Sequence, residues 1–169
     1  MFAVAPGFEP SRISFPLTYW NALGLLAGIG LILCFSLTSD ERESAVLRVL
    51  AGAAIPILAV PLLLTFSRGA VGVTIVGLVS YLLLAHNRGL VTGALAVGPL
   101  TGLAVVRAYE ADLLATRTPS SPGAIAQGHA LAETMLVCVL GVVVLRAALL
   151  VVDGRLRGIE LSGPPSNPP

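Results

Sequence analysis

Long apolar runs separated by short polar clusters dominate the pattern of hydrophobic and polar positions along this chain. Five runs, each bounded by charged or helix-breaking residues, cover about 17–38, 45–66, 69–85, 90–106 and 130–152. A helix needs about 20 predominantly apolar residues to cross the hydrocarbon core of a bilayer. In lipid each backbone N–H and C=O must be paired within the protein, which a helix achieves by itself. The pattern therefore predicts an all-α fold, a polytopic membrane helix bundle with about five transmembrane helices.

The segments around these runs complete the predicted organisation. Residues 1–16 are expected to be an extracytoplasmic N-terminal segment, 17–152 the transmembrane helical bundle, and 153–169 a polar, proline-rich tail. The N-terminal segment lacks the basic start and apolar core of a signal peptide, and the tail has the composition of an unstructured linker. Both ends are therefore expected to belong to a piece of a longer protein. The longest polar connection is predicted at 107–129.

Two prolines lie inside the second apolar run. Pro56 and Pro61 each remove a backbone donor and crowd the preceding turn. A kink or a local break is therefore expected just before Ser67.

Composition narrows the class of protein further. Hydrophobic residues make up 56% of the 169 residues and charged residues 11%, with a mean hydropathy of +0.91, whereas soluble domains carry about 25% charged residues. The net charge of +1 gives no indication of a nucleic-acid partner. Cys34 and Cys138 both lie in apolar runs and are too few for a disulfide framework or a tetrahedral metal site. The sequence also lacks catalytic-triad, dinucleotide-binding and Walker-type patterns, so soluble-enzyme classes are set aside.

Arginine placement predicts the orientation, because short cytoplasmic loops carry an excess of positive charge. All ten basic residues are arginines. The predicted cytoplasmic set contains Arg42, Arg48, Arg88, Arg146, Arg155 and Arg157. The opposite set contains Arg12, Arg68, Arg107 and Arg117. Six arginines against four place the N-terminus and Arg68 on the extracytoplasmic side.

Arg68 stands at the boundary between the second and third apolar runs. An ionisable side chain in this position is costly unless it faces water, a partner or an anionic ligand, so it is a functional-site hypothesis. Its guanidinium is permanently charged, and its planar fork fits phosphate oxygens. The simpler alternative is an interfacial arginine that only anchors the end of a helix. The same alternative applies to Arg12, which precedes the first run.

Two motifs resemble a known family. The run PLTYWNALG at 16–24, followed by TFSRGA at 65–70, is similar to the O-antigen ligase and O-antigen polymerase superfamily, with a weaker likeness in GAIAQGHALAE at 123–133. This resemblance implies a multi-spanning glycosyltransferase in the bacterial inner membrane. Such an enzyme transfers a glycan from a polyprenyl-diphosphate carrier to a lipid or glycan acceptor on the extracytoplasmic face. It uses neither a metal ion nor another cofactor.

The resemblance also assigns residues. Arg68 matches the family arginine expected to hold the donor diphosphate, and Arg12 is the second expected diphosphate ligand. Ser67, Gly69 and Asn21 are expected to support them. The family's functional histidine belongs to a large outer loop that this sequence lacks, so His129 receives no catalytic role. The chain is not expected to complete the reaction alone.

Two other functions stay open at this point, a transporter or flippase fragment and a noncatalytic membrane-anchoring module. A transporter predicts discontinuous helices in repeated positions. Asn21 has an alternative role as a hydrogen-bonding residue between helices, and Glu133 is expected to pair with Arg107 or His129. Gly24 and Gly28 are interpreted as helix-packing positions.

Overall fold

The computed structural model describes residues 19–85, 89–111 and 122–161, with side chains described as far as 154. Within these ranges the chain forms helices and no strand, which confirms the all-α prediction. The helices are α1 (Trp20–Ser39), α2 (Ala45–Leu64), α3 (Arg68–Leu84), α4 (Gly89–Glu110) and α5 (Pro122–Leu161).

Four of these helices are long and apolar enough to cross a membrane. They are α1, α2, α4 and α5, whereas α3 is a shorter apolar helix of 17 residues. Large apolar side chains are also exposed on the outside of the bundle, such as Leu33 (58% exposed), Leu83 (76%) and Val144 (69%). Apolar surface of this kind fits a lipid environment and indicates a membrane protein. That α3 also crosses the bilayer remains a prediction.

The bounds of the last two helices differ from the sequence expectation. Helix α4 continues to Glu110, and α5 begins at Pro122, so much of the connection expected at 107–129 is helical. Proline is favoured at the first position of a helix because its missing N–H has no partner there. Helix α5 also continues to Leu161, through residues assigned above to the polar tail.

Helix α2 is continuous through Pro56 and Pro61 and ends at Leu64. The Thr65 N–H donates to the Pro61 carbonyl at 3.0 Å, which closes the last turn. The chain changes direction only in the next three residues, Thr65 to Ser67, immediately before the start of α3.

The main core lies around α2, which packs against α1, α4 and α5, while α3 packs mainly on α1. Its buried side chains are Ala27, Leu31, Phe35, Ile55, Ala59, Leu62, Ala70, Ala96, Val97 and Val142. Because the chain runs up and down, the starts of α1, α3 and α5 lie at one end of the bundle. The end of α1 and the starts of α2 and α4 lie at the other.

Two glycines one turn apart bring α1 close to α3. A Cβ placed on Gly24 would lie 2.9 Å from both the Ala70 Cβ and the Thr65 hydroxyl. A Cβ placed on Gly28 would overlap the Thr74 hydroxyl, which itself donates to the Ala70 carbonyl at 2.8 Å. The packing interpretation of Gly24 and Gly28 therefore fits this contact, which is a small-residue contact typical of membrane helices.

We expect Gly28→Ala to lower thermal stability because the added methyl group meets the Thr74 side chain. The cost should be about 1–3 kcal/mol, as for other overpacked positions. Unfolding can be followed in detergent by the reaction of Cys138, which is fully buried, with a thiol-reactive dye in a Cys34→Ala background. Gly72→Ala is the matched control, since none of the residues that the structure describes contacts a Cβ at that position within 4 Å.

The double variant Gly28→Ala with Thr74→Ala removes the hydroxyl that the new methyl group meets. It should recover most of the lost stability. A midpoint as low as that of Gly28→Ala alone would contradict this account of the contact.

Candidate functional site

The turn between α2 and α3 is built by hydrogen bonds of Thr65, a fully buried residue. Its hydroxyl donates to the Leu62 carbonyl at 2.7 Å and accepts from the Ser67 N–H at 3.3 Å. Phe66 between them has a φ of +50°, a left-handed conformation that is costly for a bulky residue. These contacts fix the direction in which the chain enters α3.

Ser67 caps the start of α3. Its hydroxyl accepts from the Ala70 N–H at 3.3 Å, and its side chain is 5% exposed. A serine at this position satisfies one of the N–H groups that a helix start leaves without an acceptor. Arg68 and Gly69, the first two residues of the helix, are both exposed.

A cleft of about 610 Å³ lies beside this helix start. It is lined by Trp20, Asn21, Leu25, Phe66, Ser67, Arg68, Gly69, Ala70 and Val73. Four of the five residues that the sequence proposed for the diphosphate site thus line one cleft, namely Asn21, Ser67, Arg68 and Gly69. The fifth, Arg12, lies outside the described residues.

The electrostatics of the cleft favour an anion. Helix starts carry partial positive charge from unpaired N–H groups, and Arg68 adds a full charge at the same point. Its guanidinium has no hydrogen bond or ion pair with the residues that the structure describes. Outside its own helix and chain neighbours, no atom of the described residues lies within 4 Å of a Cβ placed on Gly69, so a ligand can approach the backbone there. A phosphate group is a suitable ligand for a helix start of this kind.

Asn21 forms its hydrogen bond within its own segment. Its amide nitrogen donates to the Tyr19 hydroxyl at 2.8 Å, and this bond does not connect two helices. The Tyr19 ring also stacks at an angle on Trp20, with ring centroids 5.5 Å apart. The Asn21 side chain therefore belongs to an aromatic group at the edge of the cleft.

The remaining cleft walls are apolar, formed by Trp20, Leu25, Phe66 and Val73. The combination of a cationic helix start with apolar walls fits an anionic group attached to a hydrocarbon chain. None of the described lining residues is a carboxylate, histidine or cysteine. The lining can thus bind and stabilise negative charge, while proton transfer would need a group from elsewhere.

Other polar residues at this end of the bundle lie apart from the cleft. Arg107 forms an ion pair with Glu110 at 3.6 Å, with both side chains exposed. The expected pairing of Glu133 with Arg107 is therefore not the one observed. A smaller cleft of about 220 Å³ adjoins this ion pair, and His129 lines neither cleft.

The sequence interpretation missed a buried arginine cluster at the opposite end. Arg146 on α5 is fully buried, and Arg48 on α2 is 5% exposed. Arg146 donates to the Thr38 hydroxyl at 3.1 Å, to the Thr92 hydroxyl at 3.2 Å and to the Thr38 carbonyl. Arg48 donates to the same carbonyl at 3.3 Å.

A signal for this cluster exists in the sequence. Arg48 and Arg146 are each flanked on both sides by apolar residues, inside runs long enough to span a bilayer. Charged residues in such positions usually face the interior of a bundle. In the prediction of membrane orientation, Arg48 and Arg146 counted only toward the cytoplasmic excess of arginines.

The chain as a whole matches no protein-family model, no curated protein and no solved structure. A function must therefore be argued from the chemistry of the clefts and from the motif resemblance.

Proposed function

We propose that this chain is part of a membrane glycosyltransferase of the O-antigen ligase and polymerase kind, located in the bacterial inner membrane. It would take a glycan from a polyprenyl-diphosphate carrier and transfer it to a lipid or glycan acceptor on the extracytoplasmic face. The observation that carries the proposal is the cleft beside α3, which brings together Asn21, Ser67, Arg68 and Gly69.

In the proposed reaction, the bond between the sugar and the diphosphate breaks as the acceptor hydroxyl attacks. The leaving diphosphate gains negative charge, and the Arg68 guanidinium with the first N–H groups of α3 would stabilise it. Interactions that strengthen as charge develops lower the barrier. Arg12 is proposed as a second ligand of the same diphosphate.

The apolar walls of the cleft would accept the first isoprene units of the carrier. Leu25 and Val73 lie on neighbouring helices, α1 and α3, so the carrier chain would run between them toward the lipid. The acceptor and the group that removes its proton would come from elsewhere in the enzyme.

A transporter or flippase receives less support. The described helices α1 to α5 are each unbroken, including α2 with two prolines and α4 with Pro99. A membrane anchor would need Arg68 only as an interfacial charge. The anchor and the glycosyltransferase therefore differ in whether Arg68 selects a diphosphate.

Arg68→Ala is expected to weaken binding of a polyprenyl diphosphate by about tenfold or more, because hydrogen bonds to a charged group contribute about 1.5–3 kcal/mol. Binding can be measured for the full chain in neutral-lipid nanodiscs, with polyprenyl diphosphate, monophosphate and alcohol as probes. The unsubstituted protein should prefer them in that order. Arg68→Lys keeps the charge but loses the planar fork of the guanidinium. Its loss of diphosphate affinity should be smaller than that of Arg68→Ala.

Arg107→Ala is the matched control, since it removes another exposed arginine at the same end. It should bind the diphosphate within about twofold of the unsubstituted protein, as expected for a distant site. Equal losses in the two variants would indicate general charge attraction and support the anchor. Retained binding in Arg68→Ala would overturn the proposed site.

A further inference from the structure

Phe66 lies in the turn after α2 and has a backbone conformation that normally belongs to glycine. Its φ of +50° is the only positive φ of a non-glycine residue among the residues that the structure describes. Many helices end with one residue in this left-handed conformation, and glycine is usual there because a Cβ is unfavourable. A bulky side chain in this conformation costs stability. Such strain is typical of residues that contact a ligand.

The hydrogen bonds of the turn hold this conformation in place. The Phe66 N–H donates to the Leu63 carbonyl at 2.9 Å. In the usual glycine-ended helix the next N–H, here that of Ser67, would donate to the Leu62 carbonyl. The Thr65 hydroxyl connects these two groups instead, because it accepts from the Ser67 N–H at 3.3 Å and donates to the Leu62 carbonyl at 2.7 Å. The backbone around Phe66 is thus fixed by its polar groups.

The Phe66 side chain is 43% exposed and lines the cleft beside α3. Its ring stacks on none of the other aromatic rings in the described part of the chain. Core packing offsets backbone strain when a side chain is fully buried, but much of this ring has no protein contact. The exposed surface of the ring is therefore available to a ligand in the cleft.

The turn presents an aromatic ring and a cation on either side of one buried residue. Ser67 is 5% exposed and caps α3, whereas Phe66 and Arg68 are both exposed and both line the cleft. The Cα atoms of Phe66 and Arg68 can be no more than about 7 Å apart, so one ligand can contact both side chains. An anion that is bonded directly to a hydrocarbon chain matches this pair.

We propose that Phe66 recognises the hydrocarbon next to the phosphates of a prenyl diphosphate, by packing its ring against the first isoprene unit. The inference rests on the proposed function, because it assigns the diphosphate of the same ligand to Arg68. Phe66 is a specificity-determining residue that selects a diphosphate carrying a prenyl chain over a free one. An aromatic ring suits this task because it offers a large, rigid apolar surface with only two side-chain torsions to order.

The test compares two probes that share the diphosphate and differ in the prenyl chain, farnesyl diphosphate and inorganic pyrophosphate. Binding of each is measured for the full chain in neutral-lipid nanodiscs. Phe66→Ala should bind farnesyl diphosphate about fivefold more weakly, while its affinity for pyrophosphate should change by less than about twofold. Phe66→Tyr keeps the ring and should retain both affinities. Arg68→Ala should weaken the binding of both probes.

Phe66→Gly separates the backbone strain from the recognition of the ligand. It removes the ring, as Phe66→Ala does, and should lose the same affinity for farnesyl diphosphate. Glycine adopts a positive φ without strain. The thermal midpoint of Phe66→Gly, read from the reactivity of Cys138 in a Cys34→Ala background, should therefore lie about 2–4 °C above that of Phe66→Ala. A merely structural Phe66 would leave the ratio of the two affinities unchanged in both variants.

Tyr109→Ala is the matched control, since Tyr109 is an aromatic residue at the same end of the bundle. It is 71% exposed and lines neither of the two clefts described there. Its removal should leave both affinities within about twofold of the unsubstituted protein.

Three results would overturn the role of Phe66 and leave the Arg68 site standing. These are an unchanged affinity of Phe66→Ala for farnesyl diphosphate, equal losses for the two probes, or a loss in Tyr109→Ala as large as that in Phe66→Ala. The proposed function fails by different results, namely if the unsubstituted protein binds neither probe or if Arg68→Ala keeps its affinity for pyrophosphate. The inference about Phe66 would then fail with it.

Discussion

Thr38→Val should be among the most destabilising single substitutions in this protein, although it keeps the size and shape of the side chain. The Thr38 hydroxyl is fully buried, accepts from Arg146 Nε at 3.1 Å and donates to the Arg48 carbonyl at 2.7 Å. Valine leaves both groups without these bonds in a dry interior. Since an unpaired buried group costs about 1–3 kcal/mol, and more when charged, the loss should be about 2 kcal/mol or more.

The measurement is the thermal midpoint in detergent, read from the reactivity of Cys138, with an expected fall of about 5 °C or more. Thr101→Val is the matched control. The Thr101 hydroxyl is also buried but has no hydrogen-bond partner among the described residues, so its removal should leave the midpoint unchanged or raise it.

Equal midpoints for Thr38→Val and Thr101→Val would show that the hydroxyl at 38 does not stabilise the arginine cluster. The Thr38 carbonyl, which accepts from Arg48 and Arg146, is unaffected by the substitution. The comparison therefore isolates one hydroxyl group. The comparison also tests whether the hydrogen bonds of the arginine cluster contribute to the stability of the helix bundle.

The sequence predicts the elements of this fold well because a single physical constraint controls them. Lipid requires continuous internal hydrogen bonding, so each long apolar run becomes a helix and polar clusters mark most of its limits. Helix ends are predicted less well where the residues are compatible with both a helix and a polar connection. Gly123 and Gln127 look like part of a polar connection, yet they form the first turns of α5 after Pro122. Nothing in a hydropathy pattern prevents a helix from continuing beyond the hydrocarbon core.

The residues of the cleft beside α3 could be proposed from sequence because they lie close together in the two motifs. Ser67, Arg68 and Gly69 are consecutive, and Asn21 joins them because Gly24 brings α1 against the turn. The arginine cluster is different, since Thr38, Arg48, Thr92 and Arg146 come from four helices. Their meeting depends on how the helices rotate about their axes, which a hydrophobic pattern on nearly uniformly apolar helices does not specify.

The two ends of the bundle therefore use arginine in opposite ways. Arg68 is exposed at a helix start and is free to bind a ligand from the membrane surface, whereas Arg146 is fully buried and held by two threonines. An exposed arginine can be replaced at little cost in stability, but a buried one is coupled to the packing of several helices. Substitutions at the end that holds Arg68 should change ligand binding, and substitutions at the end that holds Arg146 should change the stability of the protein.

Gly89→Ala should also destabilise the protein strongly, through contact with backbone instead of loss of a hydrogen bond. A Cβ placed on Gly89 would lie 2.5 Å from the Ser39 carbonyl oxygen and 2.7 Å from Arg48 Nη2. A backbone atom cannot rotate away as a side chain can, so the start of α4 must move from α1. Overpacking of this kind costs about 1–3 kcal/mol, which exceeds the gain of up to about 1 kcal/mol from replacing glycine by alanine in a helix.

Gly98→Ala and Gly102→Ala are the controls for this prediction, because they lie on the same helix and no other part of the described chain is within 4 Å of a Cβ at either position. Both should leave the midpoint unchanged or raise it slightly, since alanine has the higher helix propensity. The midpoint of Gly89→Ala should fall by about 5 °C. A midpoint equal to those of the controls would mean that α4 does not pack against Ser39 as described. A fall confined to Gly89→Ala would instead show that the close approach of α1, α2 and α4 at this end is a requirement of the fold.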